Sequence, residues 1–383
     1  MQKLFSKLSS SVIVIVIFSL LSPVTFASAY NKTSAESYLK SHAGNPWATM
    51  GLVALSSSGI PLDHLKNISG SSAIDYAAPI LAITSTGNDP RTFANIDLVA
   101  KLKSYHLQNQ IGDASTVNDD IFGLLALVSA GEPLTDSAIV DAKNFILQNQ
   151  KPNGGWGFAV SGTADSNITA AAIVALKAFG LSSTDEKITK ALDYLKTAQN
   201  EDGGFTYDPQ SEWGTASDSS STAWVLWALN ALSMEHGAWS KNGKSPADYL
   251  SSTQHQDGYF EWQIGSGENS FSAPNTEYAA IALEGKTLPL KILSPLPPSN
   301  PLIPFRIEGS SETICEGKIQ GLTALDIIKN ASEMCGFTYH IKDTSFGPYL
   351  DKINNDEASG TAGWLYWVNF NSPAIGAADY QLQ

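Results

Sequence analysis

The sequence predicts a mainly α-helical repeat protein followed by a small α+β domain. Two observations carry this prediction. A short apolar segment recurs six times between residues 47 and 283, with amphipathic segments and glycine-rich turns between the copies. Beyond a run of prolines, short strand-like segments surround one amphipathic helical pattern, as in a domain that packs one helix on a sheet.

Composition narrows the functional classes. Of the 383 residues 43% are hydrophobic and 16% charged, which suits a large buried core and excludes global disorder. The 23 Lys and Arg against 37 Asp and Glu give a net charge of -14, which argues against nucleic acid or anionic lipid as partner. The six histidines lie far apart and there are two cysteines, so we predict no metal site.

The N-terminus has the pattern of a targeting segment. Lys3 and Lys7 precede the short apolar run Val12–Leu21, and Ala27-Ser28-Ala29 is typical of a signal cleavage site. The run is shorter than the ~20 residues that span a bilayer, although an N-terminal membrane anchor remains the alternative. We therefore expect residues 1–29 to be a signal peptide. The mature protein would be secreted or displayed at the cell surface, with no membrane span after cleavage.

The six apolar segments are nearly apolar all round, as helices buried on every side should be. They are Trp47–Leu55, Ile74–Ile83, Asp120–Leu127, Thr169–Leu176, Thr222–Leu229 and Thr276–Leu283. Their ends lie 28, 44, 49, 53 and 54 residues apart. The last four intervals suit one helical hairpin each, whereas the first leaves room for only a short partner helix.

Amphipathic segments between these copies predict outer helices. They are Phe93–Gln108, Asp136–Gln150, Asp185–Asn200 and Ser245–Gln254, and the expected N-cap residues at two of them lie in Leu134-Thr135-Asp136 and Ser182-Ser183-Thr184. Three turns follow with a glutamine, glycine and an aromatic residue: Gln148–Trp156, Gln199–Phe205 and Gln254–Phe260. The glycines permit a tight reversal, and the aromatic residue can fill the gap between neighbouring hairpins.

These repeats and turns resemble the terpenoid cyclase and protein prenyltransferase toroid. The resemblance covers about residues 34–285 and implies an α6/α6 toroid, a ring of six helical hairpins, within residues 30–288. The predicted fold is thus mainly α, a toroid followed by a small α+β domain. Fold alone does not fix function.

A proline-rich stretch, residues 289–302, predicts a semi-rigid linker to a second domain at 303–383. The expected order there is β-β-α-β-β, with strands at Ile303–Ile307, Glu312–Ile319, Phe337–Lys342 and Gly363–Phe370 around a helix at Thr323–Met334. Export would permit a disulfide between Cys315 and Cys335, while two buried free thiols are the alternative.

The tail resembles the C-terminal β-domain of transcobalamin and intrinsic factor, which also occurs in bacterial surface proteins. The matching motifs are Leu322–Asp326, Gly336–Tyr339, Gly363–Asn369 and Gly376–Tyr380. The order of the two domains is also similar to that family, which implies a corrinoid (cobalamin) bound between them. No cofactor is otherwise required.

The resemblance implies that any catalytic residues would lie at the ends of the repeats. Squalene-type cyclases protonate an alkene with an Asp-x-Asp-Asp-Thr motif, whose second and third aspartates are missing from Asp218–Thr222 and from Asp165–Thr169. Asn118-Asp119-Asp120 keeps two carboxylates in a different repeat context. Prenyltransferases bind zinc through a cysteine, and the predicted toroid has none. The sequence therefore predicts no catalytic residue.

Polar and aromatic residues at the same loop ends form the candidate ligand site. Small-molecule sites typically combine a small number of polar groups with an aromatic lining. The candidates are Asn118, Asp119, Trp156, Asp165, Asn167, Trp213, Asp218, Ser220, Asn275 and Tyr278, with Trp364, Tyr366 and Trp367 from the tail. In the simpler alternative, Asp165 and Asp218 only cap helices.

The resulting hypothesis is a secreted or cell-surface protein that binds a bulky small molecule, a corrinoid for example, between its domains. Two alternatives stay open. One is an extracellular adhesion module with a cell-envelope or surface protein as partner. The other is a terpene cyclase or prenyltransferase-like enzyme with a degenerate acid motif.

Overall fold

The computed structural model describes residues 30–294, 302–345, 347–380 and 382. The predicted signal peptide and half of the predicted linker, residues 295–301, lie outside the described residues. The chain divides into two compact units, Met1–Pro295 and Leu296–Gln383.

Helices dominate the first unit. In chain order they are α1 (Lys32–Ser41), α2 (Pro46–Ala54), α3 (Ile74–Ser85), α4 (Leu98–Lys103), α5 (Asn118–Ser129), α6 (Ser137–Gln148), α7 (Ser166–Phe179), α8 (Glu186–Ala198), α9 (Ser219–Ala231), α10 (Pro246–Ser252) and α11 (Ser272–Leu283). Helices α2, α3, α5, α7, α9 and α11 each pack on the next one, and α11 packs back on α2. The six apolar segments therefore form a closed inner ring, which confirms the predicted toroid.

The outer layer consists of α1, α4, α6, α8 and α10, together with the short 3₁₀ turn Asp63–Leu65 in the cramped first interval. The outer helices are amphipathic, as α8 illustrates. Its buried side chains include Ile188, Ala191 and Leu195, and this spacing of three and four residues forms one apolar face. Asp136 caps α6 as predicted, whereas the cap of α8 is Asp185 instead of the preceding Ser182–Thr184.

The predicted helix Phe93–Gln108 is wrong in length, because α4 covers only Leu98–Lys103. A two-stranded hairpin follows, with β1 (His106–Leu107) paired to β2 (Gln110–Ile111). Gln108 and Asn109 turn the chain with φ values of 50° and 71°, a left-handed pair typical of tight hairpins. The helical pattern therefore stops before this turn.

Residues 285–294 cross the C-terminal ends of the inner helices. Lys286 accepts a hydrogen bond from the Asn230 amide of α9 at 2.8 Å, and its ammonium donates to the carbonyl of Ala54 in α2 at 2.6 Å. The Leu293 amide reaches the carbonyl of Ser129 in α5 at 2.9 Å. Because α5 lies opposite α11 in the ring, this strap closes the base of the toroid.

The second unit begins with the antiparallel strands β3 (Ile303–Glu308) and β4 (Thr313–Ile319), followed by α12 (Ala324–Cys335). Thr323 caps α12, and Gly336 ends it in a left-handed conformation with φ 75°. A separate sheet contains β5 (Tyr339–Thr344), β6 (Gly347–Ile353) and β7 (Asp356–Glu357).

The fourth predicted strand, Gly363–Phe370, is wrong. Within the described residues it forms no ladder, and its end turns back on itself where Val368 and Asn371 exchange backbone hydrogen bonds. Its alternating pattern arises because Trp364 packs against the core of the unit while Leu365 stays exposed. The disulfide between Cys315 and Cys335 is present and joins β4 to the end of α12.

Candidate functional site

The open end of the ring lies at the N-terminal ends of the inner helices, since the strap closes the other end. Five aromatic side chains from four inner helices meet inside this mouth: Trp47, Phe122, Trp224, Trp227 and Tyr278. We call these five residues the lumen cluster.

The rings of the lumen cluster contact one another across the ring axis. Trp47 of α2 meets Phe122 of α5 edge-on, with 5.7 Å between ring centroids, although α3 separates the two helices. Trp224 and Trp227 stack at 5.4 Å, and the edge of Tyr278 faces both. Trp47 and Tyr278 are half-buried, whereas Phe122, Trp224 and Trp227 are buried.

Only Tyr278 of this cluster was predicted as a site residue. The sequence does carry one signal for two of the others: Trp224 and Trp227 are three residues apart and therefore share a helix face. No pattern identified that face as the lumen, because the surrounding segment is apolar on all sides.

A second set of aromatics surrounds the mouth at equivalent positions. Phe158, Tyr207 and Trp262 each lie two residues after the buried aromatic of a turn and are 52%, 49% and 41% exposed. Their carbonyls accept hydrogen bonds of 2.9 Å from the amides of Val117, Ser166 and Ser219, respectively, at the starts of inner helices. Three repeats thus present one aromatic side chain each at the rim.

Asp165 and Asp218 cap the inner helices α7 and α9. Their carboxylates accept from the amides of Ile168 at 2.8 Å and Ser221 at 2.7 Å. Burial raises the pKa of each aspartate to about 6, so both are ionised at neutral pH, where the helix N-terminus stabilises the charge. The capping alternative therefore accounts for both residues.

Asp120 occupies a special position in α5. In three turns the backbone amide of the buried aromatic residue donates a hydrogen bond to a threonine hydroxyl. An example is the bond from the Trp156 amide to the Thr169 hydroxyl at 2.9 Å. In α5, Asp120 Oδ1 accepts a hydrogen bond from the Ile111 amide at 2.8 Å instead, and its Oδ2 is buried with no partner among the described residues. Burial, with a smaller contribution from Asp119, raises the pKa of Asp120 to about 8. At pH 7 a pKa in this range favours the protonated, neutral form of the carboxyl group.

The other predicted residues of the toroid fall into three groups. Ser220 donates to the buried Asn275 and so joins α9 to α11 at the mouth. Asn118, Asn167 and Asp119 lie at the starts of α5 and α7, and Asp119 accepts from the amide of Asp113 at 3.1 Å. Trp156 is fully buried, with its indole bonded to the carbonyl of Ile146, and Trp213 is 98% exposed. Neither tryptophan belongs to the lumen cluster.

In the second unit, Trp364 packs against the small core and the Tyr366 hydroxyl donates to the carbonyl of Ile375 at 2.6 Å. Trp367 is exposed. Among the described residues, no group of three or more His, Cys, Asp and Glu side chains could hold a metal ion. None of the described helices has the length and apolar character needed to cross a bilayer.

Comparisons with known proteins agree with the toroid. Residues 102–290 match the family model described as the squalene-hopene cyclase C-terminal domain. The squalene–hopene cyclase of Bradyrhizobium diazoefficiens is 31% identical over 137 residues, which are 34% of this chain and 20% of that enzyme. The corresponding enzyme of Zymomonas mobilis is 28% identical over 162 residues, 40% of this chain and 24% of the enzyme. The chain thus spans at most a quarter of these relatives.

Among solved structures, the apo type II terpene cyclase MstE from Scytonema aligns with a TM-score of 0.50 at 12% identity, covering 66% of this chain and 96% of the cyclase. At that identity the likeness concerns the fold alone. These matches contradict the corrinoid-carrier hypothesis, because both the family model and the curated relatives are squalene–hopene cyclases. The toroid is terpene cyclase-like.

Proposed function

We propose that the toroid binds a bulky apolar lipid of the isoprenoid class in its mouth, as a terpene cyclase-like protein. The observation that carries this proposal is the lumen cluster, in which four inner helices supply five aromatic rings at the open end of a ring with a closed base. The family match over residues 102–290 supports the same ligand class.

The chemistry of the cluster favours an apolar ligand. It contains no charged side chain, and the aspartates nearby cap helices or bond to backbone amides. A lipid chain that covers aromatic carbon gains about 25 cal/mol for each Å² removed from water. The rim aromatics Phe158, Tyr207 and Trp262 extend the same surface outward.

Cyclisation is the second candidate, because one observation favours it. Protonation of an alkene needs a carboxyl group that carries its proton at neutral pH. Asp120 is fully buried, one of its oxygens has no partner among the described residues, and burial raises its pKa to about 8. Asp165 and Asp218 are ionised at neutral pH and occupied as caps. Formation of cyclic products from squalene by the wild type, abolished in Asp120→Asn, would establish this second activity.

Tryptophan fluorescence tests lipid binding directly, since three of the five lumen rings are indoles. We expect squalene, delivered in cyclodextrin, to change the emission of the mature chain in a saturable way. Trp47→Phe should reduce the amplitude of that change. Trp213→Phe is the matched control, because Trp213 is 98% exposed and outside the cluster, and should leave the amplitude unchanged. No saturable change with any isoprenoid would refute the proposal.

We further propose that the protein is exported and that residues 303–383 are a transcobalamin-like β-domain. The signal-like N-terminus and the disulfide support export, since disulfides persist in oxidising compartments. The β3–β4 hairpin followed by the capped α12 supports the domain assignment.

A further inference from the structure

Trp224 carries an indole N–H that has no acceptor. The side chain is 9% exposed, and its Nε1 atom is buried without a hydrogen-bond partner among the described residues. The other two buried indoles of the inner ring and its turns differ in this respect. Trp227 donates to the carbonyl of Tyr278 at 3.1 Å, and Trp156 donates to the carbonyl of Ile146 at 2.6 Å.

The surroundings of this N–H explain why it stays unpaired. The Trp224 ring stacks on Trp227 and meets the edges of Phe122 and Tyr278, with centroid distances of 5.4, 5.9 and 5.6 Å. All three neighbours are aromatic side chains, and none of them accepts a hydrogen bond from the Trp224 N–H. Buried polar groups in proteins are nearly always hydrogen-bonded, because leaving a donor unpaired in the interior is unfavourable.

The Tyr278 ring, which meets Trp224 and Trp227, carries a second donor, its hydroxyl group. Burial raises the pKa of this phenol further above its usual range, so it keeps its proton and remains a donor. The indole N–H of the half-buried Trp47 is a third donor in the cluster. Of these three, the Trp224 N–H is the one that is buried without a partner in the described part of the chain.

We infer that the lipid bound in the mouth carries an oxygen acceptor, a hydroxyl, carbonyl or ether group, which pairs with the Trp224 indole. This inference rests on the proposed function and narrows its ligand class from isoprenoid hydrocarbons to oxygen-bearing isoprenoids. Because the N–H is covered by its neighbours, a ring of the cluster turns aside when the oxygen binds. A pure hydrocarbon would fill the same surface and leave the donor unpaired.

The test compares two ligands of one shape on the full mature chain: geranylgeraniol and the C20 hydrocarbon that has the same branched chain without the hydroxyl. We expect the alcohol to bind about tenfold more tightly, which is the effect of one hydrogen bond to an otherwise unpaired donor. Trp224→Phe keeps an aromatic ring, removes the N–H and should reduce this preference to less than about twofold. Trp227→Phe removes an N–H that is already bonded and should retain the preference.

A second measurement needs no variant. In a ¹⁵N spectrum the indole resonance of Trp224 should shift when the alcohol binds and stay in place when the hydrocarbon binds, whereas that of Trp156 should respond to neither. Equal affinity for the two ligands, or a Trp224 resonance that ignores the bound alcohol, would overturn the inference and leave lipid binding intact. If neither ligand binds, the proposed function itself fails.

Discussion

The side-chain amide of Gln254 forms hydrogen bonds with both the backbone N–H and the backbone carbonyl of Asn31, which lies 223 residues earlier in the chain. Its Oε1 accepts from the Asn31 amide at 2.6 Å, and its Nε2 donates to the Asn31 carbonyl at 2.9 Å. The side chain of Gln150 donates the corresponding hydrogen bond to the carbonyl of Lys187, at the start of the next outer helix. In the last repeat the next outer helix is α1, so this glutamine closes the toroid.

Gln254→Ala should weaken that closure. We expect a loss of about 1 kcal/mol in unfolding free energy, because the two hydrogen bonds are partly exposed. Hydrogen exchange should accelerate in α1 more than in α8. Gln256→Ala is the control, since Gln256 is exposed and two residues away. Equal exchange in α1 of both variants would contradict the assignment of the closure to Gln254.

Asp120→Thr should stabilise the protein in a pH-dependent way. The folded-state pKa of about 8 exceeds the ordinary value of 3.8, so the folded protein holds this proton more tightly than the unfolded chain. Stability contributed by that proton is therefore lost as pH rises toward 8. Threonine retains the acceptor for Ile111 without this loss, as Thr169, Thr222 and Thr276 do in the other turns.

The measurable quantity is the difference in unfolding free energy between Asp120→Thr and the wild type. It should grow by about 2 kcal/mol from pH 6 to pH 8, because the slope is about 1.4 kcal/mol for each pH unit well below the folded-state pKa and falls to about half of that at pH 8. Glu212→Gln, which replaces an exposed carboxylate in another loop, is the control variant. A flat difference for Asp120→Thr would mean that Asp120 is ionised in the folded protein at neutral pH.

Much of the toroid follows from local sequence, because each inner helix is a continuous apolar segment and each turn has its own glycine and aromatic residue. The long-range contacts that close the toroid cannot be predicted from local sequence. Gln254 and Asn31 meet only once five hairpins have been placed. The strap at residues 285–294 is a short apolar stretch with one proline, Pro289, a pattern equally typical of a linker.

The candidate site was harder to predict for a related physical reason. Polar residues before the inner helices stood out in sequence, yet Asp165 and Asp218 are bound to their own helices as caps. The lumen rings did not stand out, because a helix buried on all sides has no periodic signal to separate the lumen face from the outer face. Trp47 and Phe122 meet only across the completed ring.

The disulfide should stabilise only the second unit. Cys315 and Cys335 are 20 residues apart in sequence. A disulfide that closes a loop of this length stabilises the folded state by about 3 kcal/mol in the chain-entropy model. Calorimetry of the Cys315→Ala, Cys335→Ala double variant should show one lowered transition and one unchanged, because no cysteine lies in the toroid. A matched fall in both transitions would show that the units unfold together.

Export predicts a mature N-terminus at Tyr30. Intact-mass analysis of protein secreted from an expressing host should give a chain that lacks residues 1–29. Replacing Ala27 and Ala29 with bulky residues should block cleavage, since the signal requires small side chains there. Recovery of the wild-type chain with those residues still attached would favour the membrane-anchor alternative.

Variants of Asp218 can distinguish a role in helix capping from a role in ligand binding. Its carboxylate accepts from the Ser221 amide and the Ser221 hydroxyl, both at 2.7 Å, so Asp218→Ala should cost about 1 kcal/mol of unfolding free energy or more. Asp218→Asn keeps an N-cap acceptor and should lose less, because asparagine caps helices about as well as aspartate. Lipid affinity measured by tryptophan fluorescence should be the same in Asp218→Asn and the wild type, since the carboxylate serves the helix and not the ligand. If instead Asp218→Asn folds with wild-type stability and loses lipid affinity or product formation, the charge itself acts on the ligand, and Asp218 belongs to the site.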